Sequence, residues 1–107
     1  MPQIPVPFDT RWYTAREVDS RPQPLGDVLP TYPEEARALG LTGSVLVALH
    51  IDETGEVRAI EILESHPPGV FDEAVRAAYA QARFLPAFRA GRAVRYVGKY
   101  RVLFELD

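Results

Sequence analysis

Cysteine is missing from this chain of 107 residues. Its absence removes disulfides, thiolate nucleophiles and cysteine-based zinc sites together, and leaves the redox compartment open. No stretch approaches the roughly 20 apolar residues that span a bilayer, and the opening residues carry no basic segment followed by an apolar one. The parts of an enzyme are also scarce. No GxGxxG or GxxxxGK[ST] loop occurs to cradle phosphate, and no serine sits in a nucleophile motif. His50 falls within a strand pattern and His66 precedes Pro67-Pro68; a histidine without partners reads as structural. "DETGE" gathers Asp52, Glu53 and Glu56 but lacks the alternating oxygen ligands of a calcium loop, so it reads as a solvated hairpin. No catalysis, metal or cofactor is expected.

What is present suits one small domain: 47% of the residues are apolar, enough for a modest single core. The net charge of −3 hides an asymmetry. The 13 acidic and 6 basic residues up to Ala82 give way to 6 basic and 2 acidic ones from Arg83 onward. Seven of the 10 prolines fall within residues 1–33, and Pro2, Pro5, Pro7, Pro22, Pro24 and Pro30 favour extended, polyproline-like backbone. Residues 1–30 are therefore expected to be a proline-rich extended linker or loosely adsorbed tail, with Trp12, Tyr13, Val18 and Leu25 as its docking candidates. Residues 31–107 are expected to be the folded domain.

Order is predicted to begin at "TYPEEARALG". There Thr31 and Glu34 suggest a capping box, Pro33 a first helical turn and Gly40 the left-handed residue past the end. Tyr32, Ala36 and Leu39 fall on one face of this two-turn helix. "GSVLVALHID" then alternates with period two, Val45, Val47, Leu49 and Ile51 on one side and Leu46, Ala48 and His50 on the other. Gly55 supplies positive φ for a hairpin turn. The returning strand changes parity once, which predicts a bulge near Arg58 or Ala59. Phe71, Val75, Ala78 and Ala82 recur at helical spacing, and Pro86 is expected to end that second helix. The last strand follows Gly91, with Val94, Tyr96, Tyr100, Val102 and Phe104 on one face.

If the first strand runs up and the second down, the helix carries the chain back up. The last strand then descends beside the first. The predicted fold is α+β: a three-stranded antiparallel sheet in the order second, first, last, with two helices packed on one face. The last strand lies at an exposed edge. It carries no proline, one lysine and no evident bulge, so few of the devices that blunt an edge protect it. The edge is expected to accept a partner strand.

These residues match a known pattern. Tyr32-Pro33, Ala36, Gly40, Gly43, Val45, Val47, Gly55, Val57, Ser65, Ala74, Phe84-Leu85-Pro86-Ala87, Gly91 and Phe104 occur in an order that resembles the carboxyl-terminal domain of the TonB energy transducers, over about residues 31–106. Ala82 stands where that family commonly has tryptophan, and the last strand is richer in arginine. The resemblance implies a periplasmic domain of a protein anchored in the inner membrane. Its implied partners are the TonB-dependent outer-membrane receptors, whose TonB-box peptide adds as a strand beside Lys99, Tyr100, Arg101, Val102, Leu103, Phe104 and Glu105. A proton-driven inner-membrane motor complex would be engaged through an anchor that this sequence does not contain. Arg95, Lys99 and Arg101 would favour acidic segments.

Two rival readings start from the same strand. Arg83, Arg89, Arg92, Arg95, Lys99 and Arg101, interleaved with Phe84, Phe88, Tyr96, Tyr100 and Phe104, have the basic and aromatic character of a single-stranded nucleic-acid binder. The negative net charge and the lack of an RNP-like sequence argue against nucleic acid as a partner. The other rival is self-association, in which two copies form a homodimer through the edge or the amino-terminal tail adds beside it.

Overall fold

The computed structural model describes residues 11–107; Pro2, Pro5 and Pro7 lie outside them. The described elements are β1 (Trp12–Tyr13), β2 (Gln23–Pro24), α1 (Glu34–Ala38), β3 (Gly43–Ile51), β4 (Val57–His66), α2 (Asp72–Ala80), β5 (Phe84–Leu85), β6 (Ala87–Arg89) and β7 (Arg92–Phe104).

The alternation in β3 sorts its side chains as expected. Val45, Val47, Leu49 and Ile51 are wholly buried, each pointing to the same face. Burial of a side chain of this kind contributes about 1.5–3 kcal/mol, so one strand commits the fold to this orientation. Against that face pack Ala36 of α1, and Phe71 and Val75 at the start and in the body of α2. From β7 come Val94, Tyr96 and Phe104. Phe71 and Phe104 stack with centroids 4.2 Å apart, and Tyr32 meets both rings edge-on. The Tyr32 hydroxyl donates to the carbonyl of Leu41, closing the turn between α1 and β3.

The strand order β4-β3-β7 is the predicted one, but the sheet is not simply three antiparallel strands. β1 adds in parallel outside β7, and β6 folds back on the start of β7 as an antiparallel hairpin. A separate two-stranded pair joins β2 to β5. The expected three-stranded sheet is thus corrected to a mixed one. The extra strands are two or three residues long, below the length at which alternation can be recognised.

The β3–β4 hairpin turns at Gly55, whose φ is +88°; a Cβ there would also collide with the carbonyl of Phe84. Asp52 clasps the turn. Its Oδ1 accepts from the Thr54 hydroxyl (2.6 Å) and from the amides of Thr54 (2.9 Å) and Glu56 (3.0 Å). Burial pushes the Asp52 carboxyl up, but these bonds and Arg58 outweigh it and hold it below its ordinary value. The register of β4 slips where Arg58 is the unpaired residue, as its parity change predicts, and slips again at Leu63, which the pattern did not reveal.

Both helices are shorter than expected. The Thr31–Glu34 capping box does not form: Pro33 is the N-cap, extended at φ −61° and ψ 131°, with no side-chain cap bond. Gly40 is left-handed at φ +68°, as predicted, yet Leu39 is 69% exposed rather than on the buried face. α2 stops at Ala80, well before Pro86. Phe84, almost wholly buried, donates its amide to Gly55 and pairs with Pro24, and these bonds draw the chain out of the helix early.

Residues 12–25 lie along the domain as a strap. Tyr13 is 3% exposed and belongs to the core, and Asp19, Ser20 and Leu25 exchange backbone bonds with Phe88 and Arg83. Of the other docking candidates, Val18 packs against the core, while Trp12 is partly and Leu25 largely exposed.

Two measurements check this packing. Phe104→Ala removes a ring that is 4% exposed and should lower stability by about 3–5 kcal/mol in urea unfolding. Tyr100 is the second probe. Burial, with Tyr96 and Tyr79 nearby, pushes its hydroxyl up to about 12, while Arg21 opposes weakly. A raised folded value stabilises fully below the ordinary tyrosine value near 10 and is lost as pH climbs through the folded one. The urea midpoint should therefore fall between about pH 10 and pH 12, and Tyr100→Phe should make that fall shallower.

Candidate functional site

The β3–β7 ladder runs from Gly43↔Phe104 to Ile51↔Tyr96 without a register shift. Side chains of β7 therefore alternate strictly along its length. Tyr100, Val102 and Phe104 stand on the helix side, opposite Val47, Val45 and Gly43. Lys99, Arg101 and Leu103 are exposed on the other side, across from Ala48, Leu46 and Ser44. Glu105 lies just past the end of the strand. Gly98 is the one glycine of β7. The ring of Tyr96 lies over it, so that a Cβ at this position would fall 2.5 Å from the ring.

The two edges of the sheet differ. β4 is interrupted twice, at Arg58 and Leu63, and such bulges twist an edge away from further pairing. β7 has no such interruption. On the side of β7 away from β3, Trp12 and Tyr13 pair with Arg95 and Tyr96. From Val97 to Phe104 the only strand partner among the described residues is β3. The backbone groups of this segment that face away from β3 have no strand partner among the described residues, and all the predicted site residues except Glu105 lie in it.

Charge is organised across the open face. Arg95 Nε lies 3.0 Å from Glu53, and its guanidinium sits 5.3 Å over the Trp12 ring. Arg101 reaches Glu64 on β4 at 3.9 Å, spanning Leu46. Lys99 has no ion pair among the described residues, and its ammonium is the more available cation of the three. His50, between Ala59 and Val97, meets Trp12 edge-on at 5.2 Å. The aromatic rings of the nucleic-acid reading are largely inside: Phe84, Tyr96 and Phe104 are buried. Several of its cations are engaged too, Arg83 with Glu56 at 2.7 Å and Arg89 over Tyr13.

The expectation that the amino-terminal tail adds beside the last strand holds at one point, where Trp12 and Tyr13 pair with Arg95 and Tyr96; sequence reasoning named both as docking candidates but missed that they are the pairing residues. The available signal was an aromatic pair of high strand propensity, too short to show alternation.

Comparison with known proteins agrees with this architecture. The family described as Gram-negative bacterial TonB protein C-terminal matches residues 28–106. Protein TonB of Pseudomonas aeruginosa is 36% identical over 89 residues, covering 83% of this chain and 26% of that protein. Protein TonB of Yersinia enterocolitica is 41% identical over 63 residues, 59% of this chain and 25% of that one. The chain thus spans about a quarter of the length of these relatives. The solution NMR structure of the Pseudomonas aeruginosa TonB C-terminal domain superposes with a TM-score of 0.72 at 34% identity, over 89% of this chain and 94% of that one. The chain belongs to the TonB C-terminal family.

Proposed function

We propose that this chain is the periplasmic receptor-binding domain of a TonB-type energy transducer. It captures the TonB-box peptide of outer-membrane transporters as an added strand along β7 and passes on energy from the inner-membrane proton gradient for substrate uptake. The observation that carries this reading is the contrast between the edges: β4 is bulged twice, whereas β7 offers Val97–Phe104 in unbroken register with β3.

Strand addition draws affinity from main-chain hydrogen bonds and selectivity from alternate side chains. About six such bonds, at roughly 0.5–1.5 kcal/mol each, give on the order of 3–9 kcal/mol before the peptide is ordered. Micromolar binding, near −8 kcal/mol, is the natural range. Weakness at rest suits a force transmitter, because tension along the strand loads its hydrogen bonds together. Lys99, with Arg101 beside it, would speed the approach of acidic segments more than it tightens the complex.

Single prolines on β7 test the site. Arg101 and Val102 are consecutive, so one N–H faces β3 and the other faces outward. In titrations with TonB-box peptides of Pseudomonas aeruginosa transporters, one of Arg101→Pro and Val102→Pro should lose binding about ten-fold or more while staying folded. The other should lower stability. If neither weakens binding, the site is elsewhere. Steep loss of binding with salt would instead favour a polyanionic partner such as nucleic acid, and a dimer that persists with peptide bound would favour self-association.

A further inference from the structure

The strap and the open edge meet at one point. β1 occupies the outer side of β7 for only two positions, Trp12↔Arg95 and Tyr13↔Tyr96, and the opposite side of Tyr96 is already paired with Ile51. One residue further along β7 the edge is open. The strap leaves at that point because Thr14 and Glu17 form a closed turn: Glu17 donates its amide to the Thr14 carbonyl (3.0 Å), and Thr14 donates its amide to Glu17 Oε1 (2.9 Å).

The strap is held firmly on both sides of this turn. Tyr13 is 3% exposed, and the guanidiniums of Arg11 and Arg89 lie 4.6 and 5.0 Å over its ring. Arg89 donates to the Glu17 carbonyl (2.8 Å), Ala90 to Asp19 Oδ2 (2.7 Å) and Asp19 to the Phe88 carbonyl (2.8 Å). A captured peptide gains a few exposed backbone bonds. Removing Tyr13 would expose a core ring and break its cation contacts. The peptide is therefore halted by the strap instead of replacing it.

We infer that the amino-terminal strap is a register stop: it fences the edge at Val97, confines a captured strand to Val97–Phe104, and makes Tyr13 the residue that positions the fence. This rests on the strand-addition reading above and adds a limit on length and register. A segment that fits between the Thr14–Glu17 turn and the end of β7 uses every open position. Residues beyond the turn contribute nothing.

The test uses the whole chain with alternating valine–glutamate peptides of about six, eight and twelve residues, followed by amide chemical shifts and by the emission of Trp12, the single tryptophan. From six to eight residues affinity should rise about five-fold or more, the worth of one further hydrogen bond. From eight to twelve it should change less than about two-fold, since no new bond forms. Shifts should run over Val97–Phe104 and end there, with Arg95, Tyr96 and Trp12 emission unmoved. In Tyr13→Ala the twelve-residue peptide should gain about five-fold and move the Arg95 and Tyr96 amides, whereas Tyr13→Phe should behave as the parent. Should Tyr13→Ala fail to fold, the length series in the unmodified chain decides alone. The inference is overturned if the longest peptide continues to tighten while shifting Arg95, Tyr96 and Trp12, because the strap then yields. If no amide of Val97–Phe104 moves with any peptide, the strand-addition reading itself fails, and the stop with it.

Discussion

The antiparallel ladder between β3 and β7 is the constraint on which the remaining structure depends. Because its pairs keep one register from end to end, a single alternation decides which side chains enter the core and which remain in water. A slip of one residue would bring Arg101 and Lys99 to the face now filled by Val102 and Tyr100, at the cost of burying charge. The same register leaves the outer side of β7 without a bulge along this ladder. A core requirement thus produces a surface feature: the strand whose unshifted register buries Tyr96 and Phe104 also has no bulge to break its outer row.

The opposite edge indicates that this exposure is not accidental. β4 meets the same core through Val57, Ile60 and Ile62, yet two bulges break its outer row. β7 has charged side chains and the short cover of β1 at Arg95 and Tyr96 as its edge devices, and only β4 carries bulges. Across the open face, acidic Glu64 and basic Arg101 are joined over Leu46. Part of the positive charge of β7 is therefore spent within the domain, and Lys99 has no ion pair among the described residues. In the proposed capture of a peptide, main-chain bonding, more than charge, would supply the affinity.

How much of this was legible in the sequence depended on how local the cause was. Val45, Val47, Leu49 and Ile51 revealed their common face through alternation alone, Gly55 revealed the hairpin through its backbone freedom, and the parity change after Val57 revealed the bulge at Arg58. The bulge at Leu63 left no such trace, because Glu64, Ser65 and His66 beyond it include no apolar residue to mark a change of parity. The premature end of α2 is set by the distant bonds of Phe84 to Gly55 and Pro24, which no local pattern contains. The strap was obscured in the same way. Prolines and polar residues around Trp12-Tyr13 resemble a linker, while the contacts that hold Tyr13 come from Arg89 and the core, far along the chain. Of the site, the strand and its exposed face were readable, and the place where the open edge begins was not.

Residue-resolved amide hydrogen exchange on the free domain is the most direct examination of the central claim, because it reads each N–H of β7 separately. Along Val97–Phe104 the amides should alternate between slow ones bonded to β3 and fast ones facing outward. Addition of a TonB-box peptide should slow the fast set and leave β4 unchanged. Uniform slow exchange throughout that segment before any peptide is added, or protection that appears on β4 instead, would contradict the account.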